Sequence, residues 1–151
     1  MPSLSVFGVC DVIHELAASF PHSSSQYPLL DSLELQSVEL TDLFTIDAIC
    51  RLQTITSLAL LDSSEDEVLE SAIVSTDESN DPLWPHLRVP KISSCNMDTL
   101  QDFIISRVEA GIPIATLQFM EMPDSAHSVD ITDLEKDWLV KHVPSVHFLH
   151  T

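Results

Sequence analysis

Apolar residues recur along the chain in a short motif with the spacing LxxLxL. The last three positions of this motif alternate apolar, polar, apolar, which is typical of a short half-buried strand. A motif of three apolar positions also occurs by chance in a chain that is 44% apolar. The evidence for a repeat is therefore the regular interval between successive motifs. The central positions follow one another at 29, 25, 32, 27 and 29 residues. The motifs are Met1/Leu4/Val6, Leu30/Leu33/Leu35, Ile55/Leu58/Leu60, Leu87/Pro90/Ile92, Ile114/Leu117/Phe119 and Val143/Val146/Phe148.

Each interval between motifs contains a segment with helical periodicity. Ser64 stands three residues before Glu67, a spacing typical of a capping box, and Thr132 stands three before Glu135. Asp98 is a candidate N-cap, and Gly111 is a natural residue just past a helix end. The predicted helices cover residues 10–20, 43–52, 64–74, 98–110 and 132–142.

Five alternations of strand and helix predict an α/β protein whose parallel strands are joined by right-handed crossovers. The repeat length lies near the upper limit of a leucine-rich repeat. We therefore expect one array over residues 1–151, a solenoid arc of about six strand units, in which each unit buries its apolar face against its neighbours. The segments 21–28 and 75–85 are rich in Ser, Pro or acidic residues and predict loops inserted between helix and strand.

Charge and composition exclude several classes of function. The 151 residues hold 24 acidic and 6 basic side chains, a formal charge of −18. The six basic residues form no patch, which argues against nucleic acid and anionic membrane surfaces as partners. The two glycines are too few for a dinucleotide turn or a P-loop. No apolar run reaches the length of a membrane span and no signal sequence is visible, so we expect an intracellular protein, cytoplasmic or nuclear.

Residues 83–119 carry a more specific pattern. Trp84-Pro85-His86-Leu87 leads into a short strand that ends at Ser93-Ser94-Cys95, a helix contains Ile105-Ser106-Arg107, and Gly111-Ile112-Pro113 leads to Leu117. This order resembles the C-terminal leucine-rich repeats of fungal F-box proteins. Cys95 takes the Asn/Cys turn position of the repeat. The match is looser over 127–150 and generic before residue 83.

The resemblance implies a substrate-recognition region of a ubiquitin ligase, a protein that binds a protein or peptide and presents it for ubiquitination. Two departures affect this interpretation. Pro90 stands where the family usually has Leu, which removes a backbone donor from an inner strand. No F-box is visible, so we expect the distal part of such a protein or a shortened relative, with ubiquitin-ligase subunits reached through an upstream segment.

Polar side chains between the motif leucines are the candidate partner-binding residues. In a repeat arc these positions face the concave side, where partners bind. Leu61 and Met120 are the apolar members, expected to be exposed. The alternative is that the whole row is merely solvated strand surface. The candidates are Glu34, Gln36, Leu61, Lys91, Gln118, Met120, Glu121 and His147.

The remaining candidate sites favour structural explanations. The acidic residues between Asp62 and Asp81 are expected to form a solvated helix face and loop on the outer side. His142, His147 and His150 lack a completing Cys or carboxylate, so no metal or cofactor is expected. The three cysteines are expected to be buried free thiols.

Two other functions stay open. A small α/β enzyme with Cys10 and His14 as a nucleophile pair is the less favoured one, because a strongly negative domain does not stabilise a thiolate. We therefore expect no catalytic residue and no enzymatic activity. The other alternative is a truncated array without independent function, since repeat arrays need capped ends.

Overall fold

The computed structural model describes residues 3–7, 31–37, 53–62, 65–79, 83–121 and 131–150. These contain six strands and three helices. The strands are β1 (Ser3–Phe7), β2 (Ser32–Gln36), β3 (Ser57–Leu61), β4 (Val89–Ile92), β5 (Thr116–Glu121) and β6 (Ser145–His150). The helices are α1 (Glu65–Ser79), α2 (Met97–Glu109) and α3 (Asp133–His142).

All six strands lie parallel in one sheet, in the order in which they occur along the chain. The predicted α/β class with parallel strands is confirmed. Pairing also follows the sequence motif: Leu4 lies beside Leu33, Leu33 beside Leu58, and Leu117 beside Val146. The central apolar positions are thus neighbours across the sheet, because each must reach the same side to be buried.

The residue just before a strand makes the same backbone hydrogen bonds to the next strand at three places in the sheet. Its carbonyl accepts hydrogen bonds from two consecutive amides, one just before the next strand and one at its first residue. This arrangement recurs three times. The bonds are Thr56 N and Ser57 N to Asp31 O (2.8 and 3.2 Å), Arg88 N and Val89 N to Thr56 O (2.9 and 3.1 Å), and Ala115 N and Thr116 N to Arg88 O (3.2 and 3.1 Å).

The core lies between one face of the sheet and the helices. Alternate strand residues point into it, as the period of two requires, and meet the apolar stripes of the helices. The buried strand residues include Leu33, Leu35, Leu58, Leu60, Ile92, Leu117 and Phe119, and the buried helix residues include Val68, Leu69, Leu100, Phe103, Ile104 and Leu139.

Pro90 shortens one pairing without breaking the sheet. Strand β4 keeps four register pairs with β3, including Leu58 beside Pro90. Between β4 and β5 only Lys91–Gln118 and Ile92–Phe119 are paired, whereas β5 and β6 share six pairs. A proline nitrogen donates no hydrogen bond, so the ladder begins after it.

The ends of α2 follow recognisable capping rules. The N-cap is Asn96, whose side chain accepts from the amide of Asp98 at 2.9 Å, so the prediction of Asp98 as N-cap is wrong. Either residue type can cap, and the tertiary position of the preceding turn decides between them. At the other end Gly111 has φ +76°, Gly111 N donates to Val108 O and Ile112 N to Arg107 O. This is a Schellman motif, and it confirms the predicted glycine terminus.

The predicted capping box of α3 is confirmed. The Thr132 hydroxyl accepts from Glu135 N, while Glu135 Oε2 accepts from Thr132 N at 2.7 Å. These two bonds satisfy backbone donors that the first turn of a helix leaves unpaired.

Helix α1 differs from its predicted length. It continues to Ser79, so the loop expected from residue 75 is wrong at its start. Residues 75–79 contain neither Gly nor Pro, and polar composition alone does not end a helix. The helices predicted over 10–20 and 43–52, and the cap predicted at Ser64, lie outside the described residues. Within the described part of the chain, no helix is long and apolar enough to cross a membrane.

Candidate functional site

One row of side chains crosses the sheet on the face opposite the core. Its members occupy equivalent register positions, each beside the next on the neighbouring strand. The order across the sheet is Glu34, Ala59, Lys91, Gln118 and His147. Four of the eight predicted binding residues are therefore brought into a single line by strand pairing.

The ends of the strands add a second, partial row. Gln36 lies beside Leu61 on β2 and β3, and Met120 lies beside Leu149 on β5 and β6. The predicted binding residue Glu121 is the last residue of β5 and is in register with His150, so it belongs to neither row, and its side chain lies outside the described part of the structure. We call the two rows together the strand face.

Exposure along the strand face is uneven. His147 is exposed, and Glu34, Gln36, Lys91, Gln118 and Met120 are half-buried. Leu61 is only 6% exposed, and so is Ala59, its neighbour on β3. The prediction that Leu61 is an exposed apolar contact is therefore wrong. Sequence alternation tells which side of a sheet a residue faces but not whether that side is covered.

A second polar cluster lies where β3 and β4 end and α1 begins. Glu65, the first residue of α1, is 2% exposed. Its Oε1 accepts a hydrogen bond from the hydroxyl of Ser93, with 3.0 Å between the two oxygens. The amide and hydroxyl of Ser94 lie at 3.4 and 3.5 Å from the same oxygen. Ser93 Oγ in turn accepts from the amide of Asp62 at 2.6 Å. We call Glu65, Ser93 and Ser94 the carboxylate cluster.

Glu65 corrects one prediction about the acidic segment. A solvated outer surface was expected for the acids between Asp62 and Asp81, yet Glu65 is buried against the neighbouring unit. Burial of a carboxylate carries a desolvation cost, which hydrogen bonds to its oxygen and the positive end of the helix dipole offset. Glu67 and Glu70 on the same helix are exposed, as expected. The sequence alone does not show which of these three glutamates is buried.

Cys95 follows the carboxylate cluster directly. It is 4% exposed, and burial raises the pKa of its thiol, with the negative charges of Asp66 and Glu65 adding to the effect. Asp66 Oδ1 accepts from the amide of Asn96 at 2.7 Å and so fixes the same turn. The prediction of a buried free thiol is confirmed for Cys95. A thiol with a raised pKa is a poor nucleophile at neutral pH.

Arg107 holds the turn that precedes β4. It is 4% exposed, and its two terminal nitrogens donate to the carbonyls of Leu83 (2.9 Å), Trp84 (2.9 Å) and Leu87 (3.3 Å). Trp84 is fully buried with φ +48°, in the left-handed region, and packs edge-on against Phe103 with ring centroids 6.3 Å apart. Burial lowers the pKa of Arg107 to about 10. This Arg is a structural residue that fixes the strand entry.

The side chains of His142 and His147, near the C-terminal end, contact different residues and not each other. His142 stacks on Trp138 with ring centroids 3.9 Å apart, and its Nδ1 lies 2.8 Å from the Trp138 carbonyl. His147 Nε2 lies 2.9 Å from Ser145 Oγ. Among the residues that the structure describes, no three His, Cys, Asp or Glu side chains are placed to hold a metal ion. Cys10 and His14 lie outside those residues.

Comparisons with known proteins identify no relative. No family model, no curated protein and no solved structure matches the chain.

Proposed function

We propose that the chain is a leucine-rich-repeat solenoid that binds a protein partner through its strand face. On the resemblance of residues 83–119, the partner is the substrate of a ubiquitin ligase of the F-box type. The partner contacts the strand face, chiefly through the side chains of Glu34, Lys91, Gln118 and Met120.

Sheet order is the observation that carries the solenoid part of the proposal. Six parallel strands follow one another without a reversal, whereas a doubly wound nucleotide-binding sheet reverses its order at the ligand site. The paired amides that bind the carbonyls of Asp31, Thr56 and Arg88 repeat the same local structure at each step. Repetition of one supersecondary unit is what a solenoid requires.

The shape of the strand face supports a macromolecular partner. Neighbouring strands lie about 4.8 Å apart, so the row from Glu34 to His147 spans four steps, about 19 Å. A long open row of this kind suits an extended polypeptide or a protein surface, whereas small ligands are usually held in concave apolar pockets. Lys91 and Gln118 lie side by side near its centre and offer charge-assisted and amide hydrogen bonds.

A matched pair of double variants tests the binding face. Lys91→Ala/Gln118→Ala removes two neighbouring side chains of the strand face. Lys141→Ala/Gln101→Ala removes the same residue types from helices α3 and α2. Proteins captured by each variant are quantified by mass spectrometry against the unchanged chain. We expect the strand-face variant to lose its captured partners by about tenfold, a free-energy change of about 1.4 kcal/mol, and the helix variant to keep them.

Two outcomes contradict the proposal. Equal capture by both variants places the partner elsewhere on the molecule. Loss with the helix variant alone assigns binding to the outer surface. The identity of the captured proteins tests the F-box resemblance separately. Recovery of ubiquitin-ligase subunits supports it, whereas partners without any such subunit leave a binding module of another kind.

A further inference from the structure

The Nε–H of Arg107 is a buried donor without a hydrogen-bond partner in the protein. The side chain as a whole is 4% exposed. Among the residues that the structure describes, Nε is the one buried side-chain nitrogen or oxygen that lacks a partner. Buried polar groups in native proteins are almost always hydrogen-bonded, either to protein or to ordered water, so this exception needs a physical explanation.

The guanidinium is held in place and cannot turn to bring Nε to a carbonyl. Its two terminal nitrogens donate to the carbonyls of Leu83, Trp84 and Leu87 at 2.9, 2.9 and 3.3 Å. The guanidinium carbon lies over the ring of Phe103, 5.7 Å from the ring centroid. Because the guanidinium is planar, these contacts also fix the direction of its Nε–H bond. A partner of Nε must therefore be a group that reaches it where it stands.

A small cavity adjoins Arg107 between α1, α2 and the turn that precedes β4. The volume in which the centre of a water molecule fits is about 10 Å³. A single water needs about 10–15 Å³ for its centre, so the cavity has room for about one. The residues that line it include Ala72, Leu83, Phe103, Ser106, Arg107 and Ala110.

Two residues that line the cavity supply acceptors. Ser106 Oγ donates its hydrogen to the carbonyl of Phe103 at 2.8 Å, so its lone pairs remain to accept. The carbonyl of Leu83 accepts one bond from Arg107 Nη1 and has a second lone pair. Together with Nε–H, the cavity thus offers one donor and two acceptors. Buried waters in proteins typically make about three hydrogen bonds.

We propose that the cavity binds one water molecule, which accepts from Arg107 Nε and donates to Ser106 Oγ and Leu83 O. This water connects helix α2 to the turn before β4, beside the direct bonds of Arg107. Two features disfavour a small anion such as chloride: three carbonyl oxygens already surround the guanidinium, and the chain has a formal charge of −18. An apolar ligand would leave Nε unpaired. The inference is independent of the proposed partner, because helix and turn residues line the site and no strand-face residue does.

A crystal structure of the full chain, grown from a solution that contains bromide, tests both the site and its occupant. We expect a water peak about 2.7–3.2 Å from Arg107 Nε, without anomalous signal from bromide at that position. An anomalous bromide peak there would show an anion site and overturn the inference. Absence of density beside Nε, or a protein oxygen in contact with it, would overturn it as well.

NMR spectroscopy of the unchanged chain gives a second measurement, in solution. The Hε proton of Arg107 should show a rotating-frame Overhauser cross-peak to water, whose sign distinguishes a bound water from chemical exchange with the solvent. Arg88 is exposed and serves as the control, and its Hε should show exchange alone. An exchange peak without an Overhauser peak at Arg107 Hε would contradict a bound water.

Two variants that each remove one hydroxyl from α2 test the partners of the water. Ser106→Val takes away an acceptor and puts methyl groups into the same space, so we expect loss of the Overhauser peak and of the crystallographic water. Thr99→Val removes a hydroxyl from the same helix outside the cavity and should leave both unchanged. A water that persists in Ser106→Val, or that is lost equally in Thr99→Val, overturns the proposed site.

Discussion

The carboxylate of Glu65 accepts a hydrogen bond from the hydroxyl of Ser93 at 3.0 Å, although the two residues are 28 positions apart in the chain. Glu65 opens helix α1, and Ser93 directly follows strand β4, so this bond ties one unit of the sheet to the next. Ser93 is itself 4% exposed, and its hydroxyl oxygen also accepts a hydrogen bond from the amide of Asp62. The carboxylate cluster therefore acts as a joint between successive units.

Glu65→Ala should destabilise the protein by about 2–3 kcal/mol, because it leaves the buried polar groups of Ser93 and Ser94 without their acceptor. Glu65→Gln keeps an acceptor oxygen and should cost about 1 kcal/mol. Urea unfolding followed by circular dichroism measures both. Glu67→Ala is the control on the same turn, and its exposed side chain should change stability by less than about 0.5 kcal/mol. Equal effects of Glu65→Ala and Glu67→Ala would contradict a buried joint.

Arg107→Met should destabilise the protein by about 2–4 kcal/mol, since the carbonyls of Leu83, Trp84 and Leu87 lose their donors. Arg107→Lys should recover only part of this loss. Its single nitrogen cannot reproduce two terminal nitrogens held in one plane. Thermal unfolding of both variants gives the comparison, with Arg88→Lys, an exposed site, as control. Full rescue by Lys would mean that charge, and not the planar geometry, holds the turn.

Cys95 should resist alkylation in the folded protein at neutral pH. Burial raises the pKa of its thiol and also blocks access to the reagent. Iodoacetamide labelling followed by peptide mapping, with and without urea, measures the modified fraction. We expect labelling of Cys95 to appear only as the chain unfolds. Rapid labelling in the absence of urea would contradict the buried turn and reopen a chemical role for this thiol.

The Thr132–Glu135 capping box predicts a pH-dependent contribution to stability. Hydrogen bonds from the backbone and side chain of Thr132 lower the pKa of Glu135 below its usual value. A carboxyl whose pKa is lower in the folded state stabilises that state above its unfolded pKa. The contribution is lost as the pH falls through the folded pKa. The stability difference between the unchanged chain and Glu135→Gln should therefore be largest near neutral pH and shrink in acid.

Unfolding midpoints at several pH values provide the measurement, with Asp137→Asn, an exposed acid on the same helix, as control. A difference between the unchanged chain and Glu135→Gln that stays constant from neutral to acid pH would show that the charge on Glu135 does not contribute through the cap.

Sequence periodicity predicted the sheet well because the same physical requirement acts at every unit. Leu33, Leu58 and Leu117 must leave water, and parallel pairing in register is the arrangement that lets all of them do so. Local rules also sufficed at Gly111 and Thr132, where the cap involves only neighbours along the chain. The order of strands, the parallel direction and the alternation of faces therefore followed from the chain alone.

Contacts between distant residues decided the rest. Glu65, Glu67 and Glu70 are equivalent in the sequence, and only the approach of Ser93 and Ser94 buries the first of them. Leu61 faces the predicted side of the sheet, yet its 6% exposure depends on what packs over it in three dimensions. Hydrophobic spacing is a one-dimensional signal that records which side of a strand faces the core. Burial of a polar group depends on donors that folding brings from another unit, and no spacing along the chain encodes them.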